Sequence, residues 1–246
     1  MTLKFAVLKS EQPPLYNWCF SVEKAAWVKL IDNLIKQGNL HTPNVIRAMR
    51  TLPRDKFVPS EMQAYSALDT PIQLGYGQSI LAPQIVAVIN EALMLEVGSK
   101  VLEVGTGSGW HAAIIAEIVA PKEAPRTEWG HVYTVEIVGA LADFARKNIM
   151  NAGYGDRVSI VNDDGSKGYR QKAPYDRIIV TASVQEVLKP LQNQLKEGGI
   201  LLAPVGSPML FQKLLKITKL ADGKVKEENL GNVSFAPLAG KFEKVP

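Results

Sequence analysis

One cysteine in 246 residues, Cys19, leaves no room for an internal disulfide or a multi-cysteine zinc site. The three histidines, His41, His111 and His131, lie far apart along the chain, which argues against metal catalysis. No run approaches the roughly 18–20 apolar residues that cross a bilayer. No internal repeat or low-complexity linker divides the chain, and its first residues, MTLKFAVLKSEQPP, lack a small-residue cleavage site and predict no secretory leader. A strong excess of one charge is missing too: the net charge is +4. Lys213, Lys216, Lys219, Lys224 and Lys226 cluster late, but Glu227 and Glu228 follow directly, which predicts a solvated strand face rather than a nucleic-acid surface. What remains is an ordinary globular chain, 46% hydrophobic and 21% charged. It is expected in the reducing cytoplasm, with neither membrane nor nucleic acid as partner.

Apolar residues recur at helical spacing over 22–37 and stop at Gly38, and Thr42-Pro43 opens a short helix that runs to about 51. Residues 54–82 contain Pro59, Pro71, Gly75 and Gly77 and read as one long irregular segment, the kind that often carries function. A further helix starts at Pro83. After Gly98, strands at 100–104, 131–137, 157–161, 175–181 and 199–204 alternate with helices at 111–120, 138–151 and 184–195. A stretch over 210–220, a turn at Ala221–Lys224 and a last segment through Val233 and Phe235 close the pattern. This order predicts an α/β fold: a doubly wound, mainly parallel, Rossmann-like sheet with an antiparallel C-terminal hairpin and an N-terminal helical segment. The expected divisions are an extension over 1–22, helices and a substrate-side loop over 23–95, and a ligand-binding core over 96–246.

The strongest local signal is VLEVGTGSGW, Val101 to Trp110, which sets Gly105, Gly107 and Gly109 between a strand and a helix. Glycine there permits a tight turn and lets a ligand approach backbone N–H groups. The spacing is G-x-G-x-G rather than the dinucleotide G-x-G-x-x-G. Glu103, inside the preceding strand, reads either as a ligand partner or as an ion pair or solvated strand end. Glu136 ends the next strand, where an acid can accept both ribose hydroxyls of an adenosine ligand. The intervening APKEAPRTEWG reads as a surface insertion that lengthens the usual spacing of roughly 20 residues. Asp163, Asp164 and Gly165 end the third strand, where a carboxylate and a backbone N–H suit an adenine edge. His111 is expected on the helix surface, Trp110 packed against ligand or core, and Met49 and Met62 in packing roles. Cys19 is expected to be a packed residue of the extension, not a nucleophile.

VLEVGTGSGW, VYTVEI, NDDG and PYDRIIVTA together resemble class I S-adenosylmethionine-dependent methyltransferases. PRDKFVP, YSALDTP, GQSILAPQIVA and VSFAPL narrow the resemblance, over about residues 30–240, to protein-L-isoaspartate (D-aspartate) O-methyltransferases. The resemblance implies S-adenosyl-L-methionine as cofactor and no metal. It also implies methyl transfer to the carboxylate of L-isoaspartyl, and to a lesser extent D-aspartyl, residues in damaged proteins, with repair through a succinimide. Isoaspartyl-containing peptides and proteins are then the partners. By position, cofactor contacts are implied for Glu103, Gly105, Gly107, Ser108 and Gly109, for Glu136 and Ile137, for Asp164 and Gly165, and for Gln78 and Ser79. The 65–87 loop and the 233–238 strand are implied to enclose substrate.

The family's usual loop text is G-Q-T-I-S-A-P-H, with the serine as its active-site residue. Here Leu81 stands at the serine position, Gln84 at the histidine position, and Ser79 where threonine is usual. The implied catalytic group is therefore Ser79, Leu81 and Gln84. Three readings stand side by side: Ser79 supplies the hydroxyl, or the missing hydroxyl only orients substrate, or the chain binds cofactor with transfer lost or redirected, as an adaptor, sensor or methyltransferase of another substrate. One hydrogen bond to a charged group is worth roughly 1.5–3 kcal/mol, enough to slow transfer without abolishing it. A carboxylate with an ordinary pKa near 4 is already an anion at neutral pH, so the reaction needs no strong base. Alignment alone can supply on the order of 7–11 kcal/mol.

Overall fold

The computed structural model describes residues 15–207 and 211–242, with side chains from residue 24 onward. Expectations for residues 1–14 and for the packing of Cys19 lie outside the described residues. Helix α1, Leu15–Lys36, starts well before the expected residue 22, so the boundary drawn there falls inside one helix. It buries Trp27, Ile31 and Leu34, and α2, Pro43–Thr51, buries Val45, Ala48 and Met49. Trp27 Nε1 donates to the Met49 carbonyl at 2.8 Å and ties the two helices together.

The segment expected to be irregular carries more order than its sequence announces. Two 3₁₀ turns, Arg54–Phe57 and Ser60–Tyr65, precede an antiparallel hairpin of β1, Ile72–Gly75, and β2, Gln78–Ile80. Only Ile72 and Ile80, a directly paired couple, are buried, so no alternating pattern marks the strands. Helix α3, Pro83–Leu93, begins on its proline, which fits the first helical turn because it needs no N–H there.

The seven-stranded sheet has the order β5-β4-β3-β6-β7-β8-β9. Its parallel part is β3 (Lys100–Val104), β4 (His131–Glu136), β5 (Val158–Asn162), β6 (Tyr175–Val180) and β7 (Leu195–Val205). Strands β8, Gln212–Lys219, and β9, Val225–Val233, add antiparallel. Residue 210, where the penultimate stretch was expected to begin, lies outside the described residues. Helices α4, Trp110–Val119, and α5, Gly139–Asn151, make the first crossovers. β3 has β4 on one side and β6 on the other, so the strand order reverses there, where open α/β sheets bind ligands beyond their carboxyl ends.

The helix expected over 184–195 is corrected to α6, Lys189–Asn193. Pro190 has no N–H for an earlier turn and its ring obstructs one, so it sits in the first turn and the helix starts there. The chain before it runs as an edge contact instead: Ser183 N–H donates to the Ala236 carbonyl at 2.7 Å, and Leu238 N–H donates to the Ser183 carbonyl at 2.8 Å. That exchange brings residues 236–239 to the carboxyl edge of the sheet.

Candidate active site

One pocket lies at the carboxyl ends of β3, β4 and β6. Gly105 to Ser108 line it together with Glu103, Glu136, Ile137 and Gly165; the hairpin and lip add Gln78 to Leu81, and the C-terminal segment adds Pro237 to Ala239. The backbone conformation of the glycine loop explains its composition. Gly105, Gly107 and Gly109 have φ of 98°, 55° and 84°, a region that disfavours side chains. A Cβ on Gly105 would also collide with Thr181 Oγ1, which donates to the Gly105 carbonyl at 2.7 Å. A Cβ on Gly165 would stand 2.6 Å from Val104 Cγ1. Gly109 stands outside the pocket wall and caps α4.

Glu136 is buried and organises the loop beside it. Its Oε2 accepts from the Gly107 N–H and its Oε1 from the Val138 N–H, both at 2.9 Å. Glu103 is fully buried; its Oε2 accepts from Thr134 Oγ1 at 2.6 Å, and its Oε1 lies 2.8 Å from His111 Nδ1. The expectation of a surface histidine is therefore corrected: His111 is buried and lines the pocket with Glu103. The sequence signal for this was the composition of α4, WHAAIIAEIV, which has no polar face to turn outward, and every residue of the helix is buried.

Asp164, next to Gly165, is not among the residues of the pocket wall. Its Oδ1 accepts from Ser166 N at 2.9 Å and Ser166 Oγ at 2.6 Å, and its Oδ2 accepts from Lys241 N at 2.8 Å. Burial pushes this carboxyl up, but the donors from Ser166 and Lys241 outweigh it and hold its pKa below the ordinary carboxylate value. Gln84 is exposed and lies outside the wall; its backbone N–H donates to Asp69 Oδ1 at 2.8 Å. Ser79 and Leu81 are both in the wall, so the hydroxyl and the residue at the usual serine position share one surface.

Arg54, from PRDKFVP, is the organising residue to which the sequence assigns no role. It is fully buried. Its Nε donates to the Ser66 carbonyl at 3.1 Å and its Nη2 to that of Leu68 at 2.7 Å; Nη1 serves Thr70 at 2.8 Å and Leu81 at 2.9 Å. Burial lowers its pKa to about 10, against the opposing field of Asp69, which still leaves it charged at neutral pH. The guanidinium also lies 5.7 Å from the ring centre of Trp110, whose Nε1 donates to the Leu52 carbonyl at 2.9 Å. Lip and glycine-loop helix thus share one buried support. Trp110 is packed in the core, as one of its two expected roles had it, and also lines the pocket.

Among the described residues no group of three His, Cys, Asp or Glu side chains could hold a metal ion, and no helix is long and apolar enough to cross a membrane.

Comparison with known proteins agrees with this geometry. The family model described as protein-L-isoaspartate(D-aspartate) O-methyltransferase matches residues 25–243. A protein-L-isoaspartate O-methyltransferase of Hyperthermus butylicus is 47% identical over 87% of this chain and 88% of its own. One of Thermococcus sibiricus is 47% identical over 87% of this chain and 94% of its own. A crystal structure described as a protein-L-isoaspartate O-methyltransferase of Plasmodium falciparum, in complex with S-adenosyl-L-homocysteine, has a TM-score of 0.75 and 25% identity, covering 87% of this chain and 98% of its own.

Proposed function

The chain belongs to the protein-L-isoaspartate (D-aspartate) O-methyltransferase family, and from that premise we propose how its pocket performs the reaction. It is an S-adenosylmethionine-dependent enzyme that methylates the carboxylate of L-isoaspartyl residues in proteins. The observation that carries the reading is that the Gln78–Leu81 lip and the Gly105–Ser108 loop line one pocket.

The wall fits the cofactor. Gly105 and Gly107 let backbone N–H groups come close, and Glu136 offers a buried carboxylate at the strand end for ribose hydroxyls. Gly165, which lacks a side chain and so packs closely on Val104, lends its backbone to the wall at the adenine end. Ser108 and Ile137 complete that end, and Glu103 with His111 borders it from β3 and α4. Bound S-adenosylmethionine supplies an electrophilic methyl on its sulfonium. The chain's own task is to hold an anionic carboxylate in line with that methyl and to keep water out. Ser79 carries the hydroxyl that orients the carboxylate, Leu81 and Pro237 to Ala239 close the apolar surround, and Arg54 fixes the lip from beneath. No group has to remove a proton from the substrate. The resulting methyl ester is attacked by the backbone amide nitrogen of the next residue and closes to a succinimide with loss of methanol; hydrolysis of the ring partly restores aspartate.

Asp164 acts in this reading by holding Lys241 beside Gly165, with Ser166 holding Phe242, and Gln84 by tying the first turn of α3 to Asp69. In this reading residues 23–95 carry the substrate-side loop and 96–246 the cofactor-binding core, from which Pro237 to Ala239 reach the substrate. A cytoplasmic location, with no nucleic-acid partner, suits the single cysteine and the small net charge. Incubation with labelled S-adenosylmethionine and matched isoaspartyl and aspartyl peptides tests the reading. Label is expected in the isoaspartyl peptide; its absence there, while S-adenosylhomocysteine binds, would sink the proposal.

A further inference from the structure

We propose that Tyr76 is a specificity-determining residue, an exposed aromatic seat for an apolar side chain next to the isoaspartyl residue; the inference rests on the isoaspartyl reading above. Tyr76 forms the tip of the β1–β2 hairpin, between Gly75 and Gly77. Its φ is 55°, in the left-handed region that costs a residue with a side chain and costs glycine nothing. Among the described residues only Met94 shares this feature without being glycine, and Met94 has a local reason, since it ends α3. At Tyr76 the conformation is set by the two-residue turn, Tyr76-Gly77, whose positive φ at both positions favours Asn, Asp or Gly, so it is the choice of tyrosine there that the turn does not call for.

The ring is also on the wrong side of the hydrophobic balance for a purely structural residue. Tyr76 is 66% exposed. Its hairpin lies against the cofactor loop: a methyl of Leu74 stands 3.6 Å from the position a Cβ on Gly107 would take. Two and three residues past the tip, Gln78 and Ser79 enter the pocket wall. Leu68, whose carbonyl shares the Arg54 guanidinium with that of Leu81 in the lip, is 50% exposed. A residue the turn does not favour and an exposed ring therefore coincide on the hairpin whose second strand enters the pocket wall, and an aromatic placed there at a cost points to ligand contact. An aromatic ring there offers a face to an aromatic or aliphatic side chain and nothing to a glycine.

The test compares wild type, Y76F and Y76G on two isoaspartyl hexapeptides, one with tyrosine and one with glycine on either side of the isoaspartate. Wild type and Y76F are expected to show the lower KM for the tyrosine-flanked peptide. Y76G is expected to raise that KM by about three- to tenfold, the range one aromatic contact supplies, and to erase the discrimination. Its kcat and its affinity for S-adenosylhomocysteine are expected to stay unchanged, and its Tm to hold or rise by up to about 3 °C as the left-handed residue becomes glycine. A residue that merely held the turn together could not raise KM while stability holds. Retained discrimination in Y76G, equal KM values in wild type, or a joint fall of Tm, kcat and cofactor affinity overturns this inference alone. Failure of wild type to methylate either peptide overturns the parent reading as well.

Discussion

Nη1 of Arg54 donates to the carbonyl oxygen of Leu81 at 2.9 Å, so the most unusual residue of the lip is held through its backbone by a buried cation. The backbone at position 81 keeps this anchor whatever side chain stands there, while the leucine side chain adds packing against the core. Among the described residues Arg54 has no hydrogen-bonded carboxylate; its charge is met by four carbonyl dipoles.

Replacing Arg54 with methionine keeps its bulk and leaves four acceptors, those of Ser66, Leu68, Thr70 and Leu81, without their donor. A buried acceptor without a partner costs about 1–3 kcal/mol, and water can relieve some of the four. Urea unfolding is expected to show a loss of about 3 kcal/mol or more. R54K, with a point charge in place of a planar fork, recovers only part of it. Full stability in R54M would show that the carbonyls find other partners.

Gly105→Ala places a Cβ against Thr181 Oγ1 in a backbone region that already disfavours it. Titration calorimetry is expected to show S-adenosylhomocysteine affinity lower by at least about tenfold, the effect of roughly 1.4 kcal/mol. An unchanged affinity would mean that Thr181 moves aside freely and the loop is not the rigid cradle described above.

Leu81→Ser adds a hydroxyl to a wall that already has Ser79. The expected result is a rise in kcat of about tenfold on an isoaspartyl peptide, within the worth of one hydrogen bond to a charged group, with S-adenosylhomocysteine affinity unchanged. Ser79→Ala in the natural background is expected to lower kcat by a similar factor. A flat response in L81S together with a strong loss in S79A assigns the orienting role to Ser79 alone.

The parts of this site legible in the sequence are those that backbone chemistry dictates. Gly105 and Gly107 announce a turn that only glycine tolerates, and Glu136 follows from its place at a strand end. The parts that stayed hidden depend on what approaches from elsewhere in the chain. Nothing near Asp164 in sequence indicates that Lys241 will occupy its carboxylate, and nothing in PRDKFVP says that one guanidinium will serve carbonyls at 66, 68, 70 and 81. The helix expected over 184–195 went wrong for a local reason: Val184, Val187, Leu188 and Leu191 mimic helical spacing, while Pro190 and the pairing of Ser183 with Pro237 impose an extended chain. The β1–β2 hairpin was missed because a three-residue strand with one buried side chain has no period to detect.

Acid titration reports on Asp164. Its donors hold the folded-state pKa below that of the unfolded chain, so the unfolded state takes the proton first as pH falls. The stabilisation is therefore complete above about pH 4 and is lost as pH drops through the lower folded value. D164N is expected to cost about 1–2 kcal/mol at neutral pH, since an amide cannot accept from both Ser166 and Lys241, and to flatten the acid limb of the stability curve. Urea midpoints for both proteins between about pH 2 and 6 check this; parallel curves would place the acid dependence in other groups.

The stacking of indoles beneath the lip has an optical consequence. Trp110 lines the pocket, meets Trp27 edge to face at 5.8 Å between ring centres, and lies under the Arg54 guanidinium. Its fluorescence is thus set by a buried cation, a second indole and whatever fills the space beside it. Ligand arrival and lip displacement should alter the colour and yield of ultraviolet emission in different ways, without any attached dye. The protein therefore carries a gauge of its own occupancy, built into the helix that begins where the glycine loop ends.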